Sequence, residues 1–387
     1  MSKVKYGIVG IGRMGTTHAQ KLLKGKDPNG TVTAICDIDQ ERREWAAKEL
    51  PGVTVYDDCS KMLADKNVDA VVVVTPHYDH PVIGIEALKA GKHLLIEKPA
   101  GVYTKAVREL MTEAEKHPNQ VFGIMFNQRT NPLYRKAKEI IDSGKMGELK
   151  RINWIITNWY RPQAYYDLGG WRGTWVGEGG GVLMNQAPHQ LDLFQWLGGM
   201  PVKIRGNCKV GVGRKINVEN DVTMYVEYAN GASGVFISST HDAPGSNRLE
   251  IDGTGGQLII EQKGFSEMLT FNELPSFENE LSSEISSPMP LIKAKKTVMK
   301  TSTLKNAVLL GAIGQHVGIF RNFSRAVLFN EPLIAPGADG IHSLTIANAA
   351  YLSSWLGKDI ELPLDEDLFK LELDKRIEEE KESGLKR

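Results

Sequence analysis

The chain has 387 residues and matches 47 Lys plus Arg against 47 Asp plus Glu, for a formal charge of zero. That balance removes any electrostatic case for nucleic acid or an anionic membrane as partner. Its length exceeds what one compact core usually holds, so two domains are expected, residues 1–126 and 127–387.

The first strand-like run, Tyr6 to Val9, follows the N-terminus with no apolar leader between. Val4 to Val9, Thr31 to Ile35, Val53 to Val55, Val68 to Val74, His93 to Ile96 and Val121 to Met125 read as strands. Amphipathic stretches lie between them, at Asp39 to Leu50, Pro81 to Ala90 and Thr104 to Lys116. Parallel strands need crossovers, so this alternation predicts an α/β Rossmann-type, doubly wound parallel sheet. The longest aliphatic run, Ala70 to Val74, is far too short to cross a bilayer.

From about residue 147 strands succeed one another: Arg151 to Thr157, Val202 to Val210, Val222 to Tyr228, Gly234 to Ser239 and Arg248 to Asp252. Asn230-Gly231 and Gly255-Gly256 are turn signals. The expectation is a C-terminal α/β domain with a large open, mostly antiparallel sheet, interrupted by a helix around Asn185 to Leu197. Residues 264–306 read as a long arm or loop, and the last twenty residues, Arg376 to Lys381 among them, as a solvated or frayed helix. Cys36, Cys59 and Cys208 have no short spacing, which gives no zinc cluster or disulfide framework and fits a reducing, cytoplasmic setting. No metal site is expected.

The sequence Gly10-Ile11-Gly12-Arg13-Met14-Gly15 follows the first strand and opens a helix. Gly10 permits a tight turn, Gly12 lets a pyrophosphate approach the backbone, and Gly15 lets helix and strand pack closely. The helix N-terminus adds donors and partial positive charge. Asp37 ends the second strand, where a carboxylate accepts from ribose hydroxyls and repels a 2′-phosphate. NAD is therefore the expected cofactor, with Arg42 and Arg43 keeping NADP open. Asp37 also reads as a cap for the helix after it. Thr75-Pro76-His77-Tyr78-Asp79-His80 lies at the carboxyl edge of the sheet, where Thr75, Pro76 and His80 face the ligand crevice, although either histidine taken alone reads more readily as a surface or capping group. Glu97-Lys98-Pro99 ends the next strand; a lysine desolvated there is a candidate proton-transfer group.

These motifs, with Asn127-x-Arg129 and Gly179-Gly180-Gly181-x-Leu183 running to His189-x-x-Asp192, occur in the order and spacing of one family. The chain resembles the Gfo/Idh/MocA oxidoreductases, named for glucose-fructose oxidoreductase and inositol dehydrogenase. The resemblance implies NAD(P)-dependent oxidation or reduction of a sugar, inositol or related polyol. It also implies a homodimer or homotetramer joined through the C-terminal sheet. It makes Lys98 the catalytic lysine, His189 the proton-transferring histidine, and Trp171-Arg172 a pair bordering the nicotinamide. Glu97 and Asn127 join the cofactor-binding set. Many family members carry aspartate four residues before the histidine, where this chain has Asn185.

On a helix, Asn185, His189 and Asp192 share a face, which makes Asn185 and Asp192 substrate-binding candidates. Asn185 also reads as an N-cap, with Pro188 in the first turn. The segment Asn158 to Trp175 is rich in aromatics and arginine, suited to sugar C–H faces and hydroxyl rims. Arg161, Tyr165 and Trp175 are the expected pocket residues; Trp159 and Tyr166 read equally as pocket lining and as interface or core. The leading function is a dehydrogenase acting on a secondary hydroxyl, with His189 as base and Lys98 orienting or the reverse. A redox-neutral NAD-dependent glycosidase or lyase and a non-catalytic sensor are the other classes.

Overall fold

The computed structural model describes residues 3–263, 266–274, 294–301 and 312–383. In the first half, β1 (Val4–Val9), β2 (Gly30–Cys36), β3 (Thr54–Tyr56), β4 (Ala70–Val73), β5 (His93–Ile96) and β6 (Phe122–Ile124) form a six-stranded parallel sheet ordered β3-β2-β1-β4-β5-β6. Its crossovers carry α1 (Arg13–Leu23), α2 (Gln40–Glu49), α3 (Cys59–Leu63), α4 (Asp79–Lys89) and α5 (Thr104–Glu115). β4 is buried along its whole length, as a central strand covered on both faces must be.

A 3-10 turn at Asn127–Thr130 and α6 (Pro132–Asp142) lead into the second sheet, whose first strand is followed by the short α7 (Gln163–Asp167). That sheet has nine strands ordered β14-β13-β12-β11-β7-β10-β9-β8-β15. They are β7 (Leu149–Ile156), β8 (Lys203–Val210), β9 (Glu219–Glu227), β10 (Ser233–Ser239), β11 (Asn247–Gly253), β12 (Gly256–Lys263), β13 (Ser266–Glu273), β14 (Lys295–Thr301) and β15 (Ile360–Glu361). Pairing is antiparallel except between β7 and β10. Period-two alternation buries Ile152, Trp154 and Ile156 on one face and leaves Ile155 42% exposed on the other. The inner face is covered by α8 (Pro188–Gly198) and α10 (Gly340–Leu356), with Phe236 edge-on to Trp154 and Phe194.

Three expectations change. The predicted arm over 264–306 contains β13 and β14, which pair and extend the sheet; residues 264–265, 275–293 and 302–306 lie outside the described residues. Their polar composition hid them, because outer strands are shaped by pairing more than by a buried face.

The C-terminal stretch is a docked helix, α11 (Glu366–Glu382), not a frayed one. Phe369 and Leu373 are buried, and Arg376 lies 5.3 Å from the Trp355 ring centroid. The helix expected from Asn185 divides into a π turn, Val182–Gln186, followed by α8. Pro188 does take the first turn, but Ala187 caps it, so Asn185 is not the N-cap.

The last connection crosses back to the first sheet. α9 (Ala312–Phe329) packs on β1 and β2, with Phe320 and Phe323 against Tyr6. The Tyr6 hydroxyl lies 2.6 Å from Ser324 Oγ, which donates to Asp27 at 2.6 Å.

Candidate active site

The strand order reverses between β1 and β4, and the loops leaving their carboxyl ends open a crevice there. Gly10 has φ +90°, and a Cβ on it would meet the Val74 carbonyl at 2.7 Å, so these two loops touch. A Cβ on Gly12 would meet nothing within 4 Å, which leaves open room beside the α1 N-terminus. Gly12 caps α1 without a side-chain bond, which leaves the first-turn amides open to a phosphate. Thr75 Oγ1 is buried with no hydrogen-bond partner. Room, amides and an unpaired hydroxyl fit a dinucleotide.

Asp37 stands at the end of β2 and accepts from Ile11 N at 2.7 Å and Asp39 N at 2.9 Å. Asp39, not Asp37, caps α2 by accepting from Glu41 N. Arg43 donates to the Asp37 carbonyl at 2.9 Å. Ile11 is buried, Met14 half-buried and Arg13 exposed at the opening of α1.

His80 needs correction as a cofactor contact. It is 1% exposed, and its two ring nitrogens lie against the Pro99 carbonyl at 2.7 Å and the Thr75 carbonyl at 2.9 Å. It braces the loops holding Thr75, Pro76 and Lys98. Asn127 is also enclosed: its Nδ2 lies 3.3 Å from His316 Nδ1 and 3.4 Å from Gln315 Oε1, while Oδ1 is unpartnered. Glu97 pairs with His18 Nε2 at 2.7 Å. Burial pushes the Glu97 carboxyl up, but the His18 bond and nearby cations more than offset this and leave it at about 2.

Lys98 leaves the end of β5 and donates from Nζ to the Asn185 backbone carbonyl at 2.8 Å. Burial pulls its pKa below the usual lysine value, with Glu97 and Glu178 opposing and Arg172 and Arg161 assisting. His189, in the first turn of α8, has Nδ1 buried with no partner. Burial, reinforced by Lys98 and His316, holds His189 well below the ordinary histidine pKa. The π turn sets the Asn185 carbonyl on Lys98, and the Asn185 side-chain amide donates to Glu178 Oε1.

The glycine run makes this turn possible, since a Cβ on Gly181 would overlap the Glu219 backbone carbonyl. The buried Glu219 carboxylate accepts from Gly181 N at 2.8 Å, Leu183 N at 2.9 Å and Tyr351 Oη at 2.7 Å. Sequence reasoning missed Glu178, Glu219, His18 and His316. Glu178 abuts three glycines, but an isolated acid has no period or spacing to mark it.

Tyr165 is half-buried at the crevice; its hydroxyl accepts from Arg172 Nη1 at 2.8 Å and Gln186 Nε2 at 3.2 Å. Arg161 lies 5.1 Å from the Tyr165 ring centroid and Arg172 lies 4.6 Å from that of Trp171. Trp171 in turn packs edge-on to His77. Two substrate candidates move elsewhere. Trp175 is 4% exposed and packs edge-on to Tyr351 and Trp355, so it is core. Asp192 is fully buried, and both its oxygens hold Arg129, at 2.6 and 2.8 Å. A carboxylate without solvent exposure must be paired, and its helix turns it inward. Tyr166 is likewise core, hydrogen-bonded to Thr240 at 2.7 Å.

Residues 4–124 match the model of an oxidoreductase family with an NAD-binding Rossmann fold, and residues 134–259 match the GFO/IDH/MocA C-terminal domain. The chain is 26% identical over 263 residues to myo-inositol 2-dehydrogenase of Thermotoga maritima, covering 67% of this chain and 75% of that one. It is 27% identical over 265 residues to scyllo-inositol 2-dehydrogenase (NAD(+)) of Bacillus subtilis, covering 67% and 74%. Levoglucosan dehydrogenase in complex with NADH and L-sorbose has the same fold, with TM-score 0.78, 19% identity and coverage of 94% and 100%. With a nucleotide crevice on the first sheet, a lysine and histidine beside it, and both halves matched, the chain belongs to the GFO/IDH/MocA family of NAD-binding oxidoreductases.

Proposed function

We propose that this protein is an NAD-dependent dehydrogenase oxidising a secondary hydroxyl of a monosaccharide, anhydro-sugar or inositol. The observation that carries the reading is the meeting of Lys98, Asn185 and His189 beside the nucleotide crevice. The names of the inositol and levoglucosan dehydrogenases it resembles support the substrate class. Asp37 favours NAD over NADP, since its carboxylate repels a 2′-phosphate. Bound NAD supplies the acceptor for the hydride leaving the carbinol carbon.

The chain handles the proton. His189 is neutral near pH 7 and therefore able to accept the hydroxyl proton. With Nδ1 shut away, the ring's other nitrogen is the one to meet substrate. Lys98 spends one N–H on Asn185 and presents the others to the oxygen that becomes a carbonyl. Tyr165, Arg161, Trp171 and Arg172 form the wall for a polyol ring, joining flat apolar faces to cationic donors. Residues 1–126 serve the cofactor and 127–387 the substrate.

Ile155, Ile237, Val235 and Tyr225 share the open face of the second sheet, and this apolar stripe supports a homo-oligomer of copies joined there. Among the described residues no helix is long and apolar enough to cross a membrane, in keeping with a cytoplasmic enzyme.

The test is a panel of sugars, anhydro-sugars and inositols with NAD or NADP, read as absorbance of reduced nicotinamide. A hit is expected with NAD, and Lys98→Ala should lose roughly 10³-fold in kcat while still binding NAD. Silence across the panel with NAD binding confirmed overturns the dehydrogenase reading.

A further inference from the structure

Glu178 is a buried acid of the crevice region to which the proposed chemistry gives no task. It lies between the Trp171-Arg172 pair and the glycine run, with 1% of its surface exposed. Oε2 accepts from the Gly173 backbone N at 2.6 Å, and Oε1 accepts from the Asn185 amide. Its own carbonyl takes a bond from His77 Nδ1 at 2.9 Å, so the residue is pinned at backbone and side chain. Burial pushes the Glu178 carboxyl above its ordinary value, while the Asn185 amide, the Gly173 N–H and the Arg172 and Lys98 cations act in favour of its charged form.

An ionised carboxylate only accepts hydrogen bonds, so it fixes which end of a neighbouring amide faces it. The Asn185 Nδ2 turns toward Glu178, and Oδ1 must face the other way, as an acceptor. Asn185 is itself half-buried, and its backbone carbonyl already holds Lys98. Residue 185 thus presents an acceptor beside the reacting lysine while the negative charge sits behind it.

We propose that Glu178 is the positioning carboxylate of this site: it orients the Asn185 amide to accept from a substrate hydroxyl and balances the charge of Lys98 and Arg172. The acid function is divided between two residues, charge at 178 and acceptor at 185. This rests on the dehydrogenase reading for its kinetic part only. A substrate that fits must donate a second hydroxyl next to the one oxidised, as a vicinal diol does. A deoxy analogue lacking that hydroxyl forfeits the Asn185 contact.

The experiment compares wild type, Glu178→Gln and the exchange variant Glu178→Gln/Asn185→Asp, each with folding and NAD binding checked by thermal unfolding and calorimetry. The first readout is the titration of Lys98 by NMR of isotope-labelled lysine, assigned with Lys98→Met. Removing the Glu178 charge should move the Lys98 titration to lower pH, and the exchange variant should move it back. This readout needs no turnover, so it judges Glu178 even if no polyol is oxidised.

The second readout is kinetic. Glu178→Gln should raise KM for the polyol roughly tenfold, the size of one lost neutral hydrogen bond. It should also move the alkaline limb of kcat down in pH, leaving NAD affinity near wild type. The exchange variant should recover part of both. An unchanged Lys98 titration in Glu178→Gln overturns the proposal and leaves Glu178 a loop brace. If that single variant fails to fold, the exchange variant decides: a Lys98 titration near wild type supports the proposal, and one displaced to lower pH overturns it.

Discussion

His189 is kept neutral by where it sits rather than by any partner. Burial disfavours the imidazolium, and the Lys98 cation disfavours it further. The sign follows directly: a base whose pKa lies below its usual value of about 6.5 stays unprotonated until the pH falls below that point. The rate of polyol oxidation should hold at pH 6.5, with its acid limb displaced below. His189→Asn should abolish that limb and lower kcat by roughly 10²- to 10⁴-fold. A profile that falls already above pH 6.5 would remove His189 as the base.

At the same scale, the glycine fingerprint, Asp37 and Lys98 were readable because each is a local signal with a chemical reason. Glu178 was not, because its meaning comes from a bond to a residue seven positions on. Asp192 and Trp175 were placed on the pocket by spacing and composition. Their burial against Arg129 and against Tyr351 and Trp355 assigns them to the core.

Between elements, the substrate wall is held from a distance. Glu380 on α11 accepts from Trp175 N at 3.1 Å, Val176 N at 2.8 Å and Asn217 Nδ2 at 2.7 Å. The segment it ties carries Arg172 on one side and Glu178 on the other. Glu380→Ala should cost about 1–3 kcal/mol in urea unfolding, by stranding those donors. It should also raise KM for the polyol more than that for NAD, because the amides Glu380 holds lie between Arg172 and Glu178 rather than on the Gly10–Gly15 loop. Equal effects on both constants would show that the helix merely stabilises the whole. The sequence suggested a helix here but not that it docks: charge dominates its surface, and the few residues that anchor it, Phe369 and Leu373 among them, look unremarkable in isolation.

Over the whole molecule, one buried arginine joins segments distant in the chain. Arg129, 1% exposed, holds Asp192 on α8 with two bonds and Asp339 before α10 with one of 2.6 Å. It also lies 5.4 and 5.3 Å from the ring centroids of Phe126 and Trp196. Arg129→Met should destabilise by about 3–5 kcal/mol, since Asp192 would keep a buried charge without a counterion. Pairing it with Asp192→Asn should return part of that loss, measured by chemical denaturation; no recovery would refute the charge argument.

The parallel sheet, the glycine loop and the desolvated lysine at the end of β5 could all be read from the chain alone, because period, turn chemistry and spacing act within a few residues. Tertiary structure alone decided that α9 returns to cover β1 and that β13 and β14 extend the second sheet. It also decided that Glu178 rather than Asp192 stands behind the candidate site. Those outcomes depend on which distant surfaces bury one another and which buried charges find a partner, and no local pattern encodes either.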